Sequence, residues 1–339
     1  DTFDRNFQFN VEHVSLAKLA DIFLVAPASA DVIGKIANGI ADDMLTTTIM
    51  ACKCPKLISP AMNTNMFTNP IVQDNLKKLE HYGYEIIQPD SGYLACGDTG
   101  AGKMPSEQVL LNYILRTIAK DKDMTGIKLT VTAGPTREKL DPVRFLSNNS
   151  TGKMGYAIAK MAMLRGADVT LISGKVSLEP VPFVKMVDIV SAEDMYNAVI
   201  KSAKDADIII KAAAVADYRP SDVSDEKIKK KDGDQMVLKI DFDSEEALYT
   251  QLCNQIICGI AMDGFSMETE HMLDNSKVKL TKKNLDMIVA NNVKVAGAGF
   301  GTDTNVVTVI TKDAVEEFPM MSKEEVADAL LDRIMKARQ

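Results

Sequence analysis

The sequence predicts an α/β protein of two domains, each built on a parallel sheet, and three observations carry that reading. Apolar runs of strand length, bounded by turn residues, alternate with amphipathic segments along the whole chain. With 339 residues, 46% of them apolar, the chain can bury a substantial core and is longer than one typical domain. The charged, turn-prone stretch AKDKDMTG (119–126) ends one helical pattern just before a new strand, which sets the domains at 1–122 and 123–339.

Taken in order, DIFLVA (21–26), PKLISP (55–60) and YEIIQP (84–89) read as strands of the first domain, and PSEQVLLNYILRTIAKD (105–121) reads as its closing helix. In the second, KLTVTA (128–133), ADVTLIS (167–173), ADIIIKAAA (206–214), LDMIVAN (285–291) and NVVTVIT (305–311) are strands, and KEEVADALLDRIMKAR (323–338) is the last helix. Strands this apolar are buried on both faces, and parallel neighbours need crossover segments long enough to hold a helix. Ligands of such sheets bind beyond the carboxyl ends of the strands.

Composition excludes several functions. A net charge of −8 argues against nucleic acid as a bulk partner, although lysines cluster at EKIKKKDG (226–233). No apolar run approaches the roughly 20 residues of a membrane span, and there is no signal peptide. Five irregularly spaced cysteines do not make a disulfide framework, which points to a reducing cytoplasm. Three histidines and scattered cysteines form no four-ligand zinc set. The chain opens at Asp1 without a methionine, close to its first strand, and reads as cut at its start.

In the second domain, KLTVTA runs into GPTREKLDPVRFLSNNSTGKMG (134–155), where glycines permit close backbone approach and Ser150 or Thr151 can cap the next helix. The segment reads as a phosphate site or, more plainly, as a capped turn. STGKMG lacks the first glycine and the final hydroxyl of a P-loop. Tyr156 and Lys160 have the Tyr-x-x-x-Lys spacing of short-chain dehydrogenases, but on the first helix, where one helical turn produces it by chance. Asp217 follows a strand end, suited to a ribose, a metal-bound phosphate or a turn. The lysine run is either a solvated face or a basic flap over a triphosphate.

Together TAGPTREKLDPVRFLSNNSTGKMG, AAAVADYRP, EKIKK, GFSMETE and KKNLDMIVANN resemble, in order and spacing, phosphopantothenoylcysteine synthetase, the ligase of coenzyme A synthesis. The resemblance implies activation of the 4′-phosphopantothenate carboxylate by CTP as an acyl cytidylate, with Mg²⁺ on the triphosphate, followed by displacement of CMP by cysteine. It implies that Asn148 holds the acyl cytidylate with Arg144 nearby, that Lys227 is the first flap lysine, and that Asp217, Phe265, Lys279 and Lys283 contact the nucleotide. Two departures stand out. Lys211 replaces a small or neutral residue, and the stretch Asp241 to Asp263 lacks the expected helix start.

The first domain contains GYLACGDTGAGKM (92–104), a cysteine among glycines. Cys96 there reads as a reactive thiol on a loop that closes over a ligand, or as an incidental cysteine in a structural turn. His13 alone reads more plainly as a packing or capping residue than as a catalyst. With HVSLAKLADIFLVAPASADVIGKIANGIADDMLTTTIMA and PAMNTNMF, the loop resembles the flavin-dependent phosphopantothenoylcysteine decarboxylases of the homo-oligomeric cysteine decarboxylase family.

That resemblance implies two Rossmann-like domains, a flavoprotein domain followed by a ligase domain. It implies an FMN that oxidises the substrate thiol so that the carboxylate leaves, with reduction of the resulting enethiol. His13 matches the active-site histidine, Asn63 the carboxylate-binding residue and Cys96 the proton donor. Met62, Ser29 and Ala30 match positions that line the flavin. The family's first strand, glycine turn and phosphate-gripping helix are expected before Asp1, so the expectation is a truncated chain with a competent ligase and an impaired decarboxylase. Ligase dimers and decarboxylase trimers are the implied assemblies. The alternative is a ligase whose first domain is a non-catalytic flavin-fold scaffold.

Overall fold

The structure, a computed structural model, describes residues 12–93, 97, 99–216, 219–220, 222–228, 276–278, 280–281, 285–291 and 301–338, and the backbone of 260–267. It divides into two compact units, Asp1–Lys120 and Asp121–Gln339.

In the first unit, α1 (Glu12–Leu19) leads into β1 (Phe23–Ala28), followed by α2 (Ala30–Ala37), α3 (Met44–Ala51), β2 (Lys56–Pro60), α4 (Thr64–Phe67), α5 (Pro70–His81) and β3 (Glu85–Ile86). Strands β1, β2 and β3 form a parallel sheet in that order. Local signals start the helices. Ser29 caps α2, Asp43 and Thr46 form a reciprocal capping box on α3, and Asn69 caps α5 ahead of Pro70 in its first turn. Val25 and Ile58 of the sheet meet Ile33 and Ile36 of α2, Ile49 of α3, and Leu76 and Leu79 of α5 in one core. A hairpin, β4 (Asp90–Tyr93) and β5 (Thr99–Lys103), precedes α6 (Glu107–Ile118). The YEIIQP strand is shorter than its sequence suggests, since only Glu85 and Ile86 pair.

The second unit runs β6 (Lys128–Ala133), β7 (Arg137–Lys139), β8 (Phe145–Ser147), α7 (Lys153–Leu164), β9 (Asp168–Ser173), β10 (Lys185–Asp188), α8 (Ala192–Ala203) and β11 (Ile208–Lys211). It continues with β12 (Ile260–Met267), β13 (Met287–Asn291), β14 (Thr304–Asn305), β15 (Val307–Thr311), β16 (Val315–Glu317), β17 (Met321–Ser322) and α9 (Lys323–Arg338). Its eight-stranded sheet has the order β10-β9-β6-β11-β12-β13-β15-β16. The strands are parallel as far as β13, whereas β15 and β16 add antiparallel, so the sheet is mixed at one edge. From β6 the chain builds outward through β9 and β10, then returns to place β11 on the other side of β6. This is a switch point, and it opens a crevice at the carboxyl ends of β6 and β11.

Helix α7 lies against the sheet and α9, with Ile158, Met161 and Ala162 meeting Val131, Val326, Leu330 and Ile334 in the main core. Behind that core Arg165, only 5% exposed, pairs with Asp123, with Asp328 at 3.2 Å and with Asp332 at 2.7 Å. One guanidinium thus ties the start of the unit to its last helix. Removing it would leave three carboxylates facing one another. Arg165→Ala is expected to destabilise this unit by about 2 kcal/mol, less than a fully buried pair because the carboxylates are partly solvated. Urea unfolding followed by a probe in the second unit would show it, and an unchanged midpoint would refute it.

The same contacts set a pH dependence. The Arg165 side-chain hydrogen bond holds the Asp123 carboxyl below its ordinary value, and Lys153 does the same for Asp303. These groups bind protons more weakly folded than unfolded, so stability is full above the ordinary carboxylate range and falls as pH drops through the folded values. Melting temperature is therefore expected to decline below about pH 4, and Arg165→Ala should weaken that decline.

Candidate active sites

At the switch point, the turn after β6 passes through Gly134 at φ +72°, where a side chain would press on Gly174 O and Val176. This is a close approach that only glycine permits. The chain then crosses to the end of β11, where Pro135 bridges Ala214 and the Thr136 hydroxyl accepts from the Ala216 N–H at 2.8 Å. Asn148 follows β8, and its Nδ2 donates to Ala214 O and Val215 O, both at 3.2 Å. Those two carbonyls fix the amide plane and leave Oδ1 as the acceptor available to a ligand. Asn148 lines a cavity of about 510 Å³ with Arg137, Phe145, Ser150, Thr151 and Lys175.

Arg137 was not foreseen from the sequence. Its guanidinium lies 4.6 Å from the centre of the Phe145 ring, and its buried Nε has no partner among the described residues. The helix start also differs from the expectation. Gly152, at φ +76°, occupies the N-cap of α7 without a side-chain cap, and Ser150 accepts from the Gly152 N–H at 3.4 Å, outside the helix. The first N–H groups of α7 therefore lack a capping oxygen of their own.

Arg144 closes the β7–β8 connection. Its Nε and Nη2 donate to Asp141 Oδ2 at 2.9 and 2.6 Å, and Nη2 also donates to Ile228 O at 2.6 Å. Exposed Lys227 is the neighbour of that contact. Asp217, Lys279 and Lys283 lie outside the described residues, and of Phe265 only the backbone, on β12, is described. The two decoys have structural roles. Lys153 reaches Gly301 O at 2.9 Å and Asp303 at 2.7 Å. Tyr156 bonds Ser173 at 3.2 Å, and Lys160 pairs with Glu324 at 2.6 Å. Lys211 is buried at the end of β11, beside Thr132 of β6.

The first unit also gathers its candidates at strand ends. Ser29 and Ala30 follow β1, and Met62 and Asn63 follow β2, where the Ala61 N–H donates to Ala28 O at 3.0 Å. Ser29 accepts from the Val32 N–H, and Asn63 Oδ1 accepts from the Asn65 N–H at 2.9 Å. His13 is half-buried, and its buried Nδ1 has no partner among the described residues.

Cys96 lies outside the described residues, but both strands that flank it are described. The Met62 N–H donates to Gly102 O at 3.0 Å, and a Cβ on Gly102, at φ +130°, would collide with Met62 O. A Cβ on Gly100 would strike Thr64. These two glycines let β5 lie directly on the segment that carries Asn63. Their role is close packing, and the hairpin root is fixed beside the strand ends.

Among the described residues no group of three or more histidine, cysteine, aspartate or glutamate side chains is arranged to hold a metal ion, and no helix is long and apolar enough to cross a membrane. Cys52 and Cys54 are free thiols.

Comparison with known proteins follows this division. The Flavoprotein family matches residues 1–119, and the family described as DNA/pantothenate metabolism flavoprotein C-terminal domain matches residues 124–337. The chain is 45% identical over 339 residues to the coenzyme A biosynthesis bifunctional protein CoaBC of Bacillus subtilis, covering 98% of this chain and 82% of that protein. It is 40% identical to a cysteine/cysteine sulfinic acid decarboxylase from an unknown prokaryotic organism, over 95% of this chain and 91% of that one. The crystal structure of the C-terminal domain of a CoaBC protein superposes with a TM-score of 0.54 at 38% identity, covering 64% of this chain and 98% of that domain. A flavoprotein unit followed by a pantothenate-metabolism unit, at this identity over nearly the whole length, shows that the chain belongs to the family of bifunctional coenzyme A biosynthesis enzymes.

Proposed function

We propose that the second unit joins 4′-phosphopantothenate to cysteine with CTP, and that the first unit decarboxylates the product to 4′-phosphopantetheine. The observation that carries the ligase assignment is Asn148, locked by two strand-end carbonyls at a switch point and facing a cavity with Arg137 and Lys175. In the first half-reaction a substrate carboxylate oxygen bonds to the α-phosphorus of CTP as pyrophosphate departs; Mg²⁺ on the triphosphate would neutralise its charge. In the second, the cysteine amine bonds to the acyl carbon, loses a proton and releases CMP. Both steps place negative charge among fixed donors, where preorganised groups act without reorganising. Asn148 Oδ1 accepts from the acyl part of the intermediate, Arg144 meets its anionic groups, and Lys227 with Asp217, Phe265, Lys279 and Lys283 serves the nucleotide.

In the first unit the residues fit a flavin. The polar turn at Ser29 and Ala30 follows β1 and half-buried Met62 follows β2, while the buried Nδ1 of His13 has no partner among the described residues. Ser29, Ala30 and Met62 would hold FMN, which supplies two-electron oxidation of the substrate thiol and the later reduction. Asn63 binds the substrate carboxylate, His13 orients or deprotonates the thiol end, and Cys96 returns a proton. These charged, water-soluble substrates suit a cytoplasmic enzyme.

Mass spectrometry of products after incubation with 4′-phosphopantothenate, cysteine, CTP, Mg²⁺ and FMN tests both assignments. Phosphopantothenoylcysteine followed by 4′-phosphopantetheine supports them. Accumulation of the first product alone removes the decarboxylase assignment, and cysteamine formed from cysteine without CTP would move the first unit to free cysteine.

A further inference from the structure

We propose that Asp141 is a positioning residue for ligation, whose buried carboxylate joins Arg144 and the Lys227 segment into one rigid unit. The proposal rests on the assignment of Arg144 to substrate and Lys227 to nucleotide made above.

Asp141 is 3% exposed, and every acceptor site it offers is used. Oδ1 accepts from the backbone N–H groups of Val143 and Arg144, both at 2.8 Å, closing its own turn. Oδ2 accepts from Arg144 Nε and Nη2 and, at 3.2 Å, from the Ile228 N–H. Arg144 Nη2 returns a bond to Ile228 O, so both backbone groups of Ile228 are held by one ion pair. The other end of the segment is held too, because the Ser224 N–H donates to Leu140 O at 3.1 Å. Lys227 therefore sits on a short loop pinned on both sides to the turn that carries Arg144. Burial alone would raise the Asp141 carboxyl, yet the donors from Val143, Arg144 and Ile228 outweigh it and hold the group far below the ordinary range. It is ionised throughout the pH range of catalysis.

The two oxygens separate a local role from a coupling role. In Asp141→Asn, the amide oxygen can keep the Val143 and Arg144 N–H bonds and so keep the turn. The amide nitrogen then faces three donors, from Arg144 and Ile228, so the bonds through Oδ2 are lost and only Arg144 Nη2 to Ile228 O and Ser224 N–H to Leu140 O are left to hold the segment.

The test uses the full chain with Asp141→Asn, Arg144→Gln and the double variant. Three quantities are read: tryptic cleavage after Lys227 without ligands, the ligation kcat and KM for 4′-phosphopantothenate at saturating CTP, and the melting temperature. The expected result is cleavage after Lys227 about 10-fold faster and kcat/KM lower by about 10- to 100-fold, measured well below a melting temperature that is itself lowered by the loss of the buried carboxylate. Adding Asp141→Asn to Arg144→Gln should then cost under about 3-fold more, because the two act as one unit. Unchanged cleavage, ligation within about 3-fold of the parent, or additive losses would each overturn the proposal. If Asp141→Asn does not fold, Ile228→Pro removes the N–H that meets Oδ2, along with restricting φ at 228 and the backbone of Lys227, and ligation at the parental rate would overturn the proposal equally. Should the parent form no ligation product, the ligase assignment fails, while cleavage after Lys227 still reads whether Asp141 holds the segment.

Discussion

Asn148→Asp is expected to lower ligation by about 100-fold or more, the scale of misplacing a bound reactant by about 1 Å. The side chain is exposed, at the exit of β8. Its Nδ2 is held by Ala214 O and Val215 O, and a carboxylate there would set an oxygen against two carbonyl oxygens. It would also bring a negative charge to a cavity that receives phosphates. Two assays separate the half-reactions. CTP–pyrophosphate exchange dependent on 4′-phosphopantothenate reads acyl-cytidylate formation, and amide formation reads attack by cysteine. Loss of both is the expected outcome for a residue that holds the intermediate. Parental rates in both would remove Asn148 from the site and leave the strand-end geometry without a ligase assignment.

The second large effect is expected in the other unit. Gly102→Ala places a side chain at φ +130°, a region that costs a non-glycine residue about 1–2 kcal/mol, and drives its Cβ into Met62 O. Either β5 lifts from the Met62–Asn63 segment or that segment shifts. In both cases the hairpin that carries Cys96 changes its position relative to Asn63, and decarboxylation should fall at least about 100-fold, as for a misplacement of about 1 Å. Ligation should be untouched, because Gly102 belongs to the other compact unit. Hydrogen exchange in β4 and β5 gives an independent readout, with faster exchange expected. Unchanged decarboxylation in a variant with faster exchange would show that hairpin placement does not govern the chemistry.

Much of the architecture was legible in local sequence. Runs such as ADIIIKAAA and LDMIVAN carry apolar residues on both faces because both faces of a central parallel strand are covered, and this pattern survives without knowledge of neighbours. Strand β12 was missed because IAMDGFSM interrupts its apolar run with Asp263 and Gly264. The mixed edge was missed because β15 looks the same to a periodicity argument whichever direction it pairs. YEIIQP promised a longer strand than the two residues that pair.

The candidate site divides in the same way. Asn148, Arg144, Lys227, Asn63 and His13 were named because their segments resemble known ligase and decarboxylase motifs, and a motif is a local pattern. Arg137, Asp141 and the packing role of Gly102 carried no such signal. Arginine, aspartate and glycine are common in turns, and what distinguishes these three is a partner far along the chain: a cavity wall built from several segments, Ile228, and Met62. By itself the sequence determined the strand and helix alternation and the residue types available for chemistry, since both follow from near-neighbour sterics and the burial of apolar side chains. Only the tertiary structure decided which carbonyls hold Asn148, which carboxylate joins Arg144 to the Lys227 segment, and why β5 needs glycine, because hydrogen bonds and close contacts between distant segments exist only once the strand order has brought those segments together.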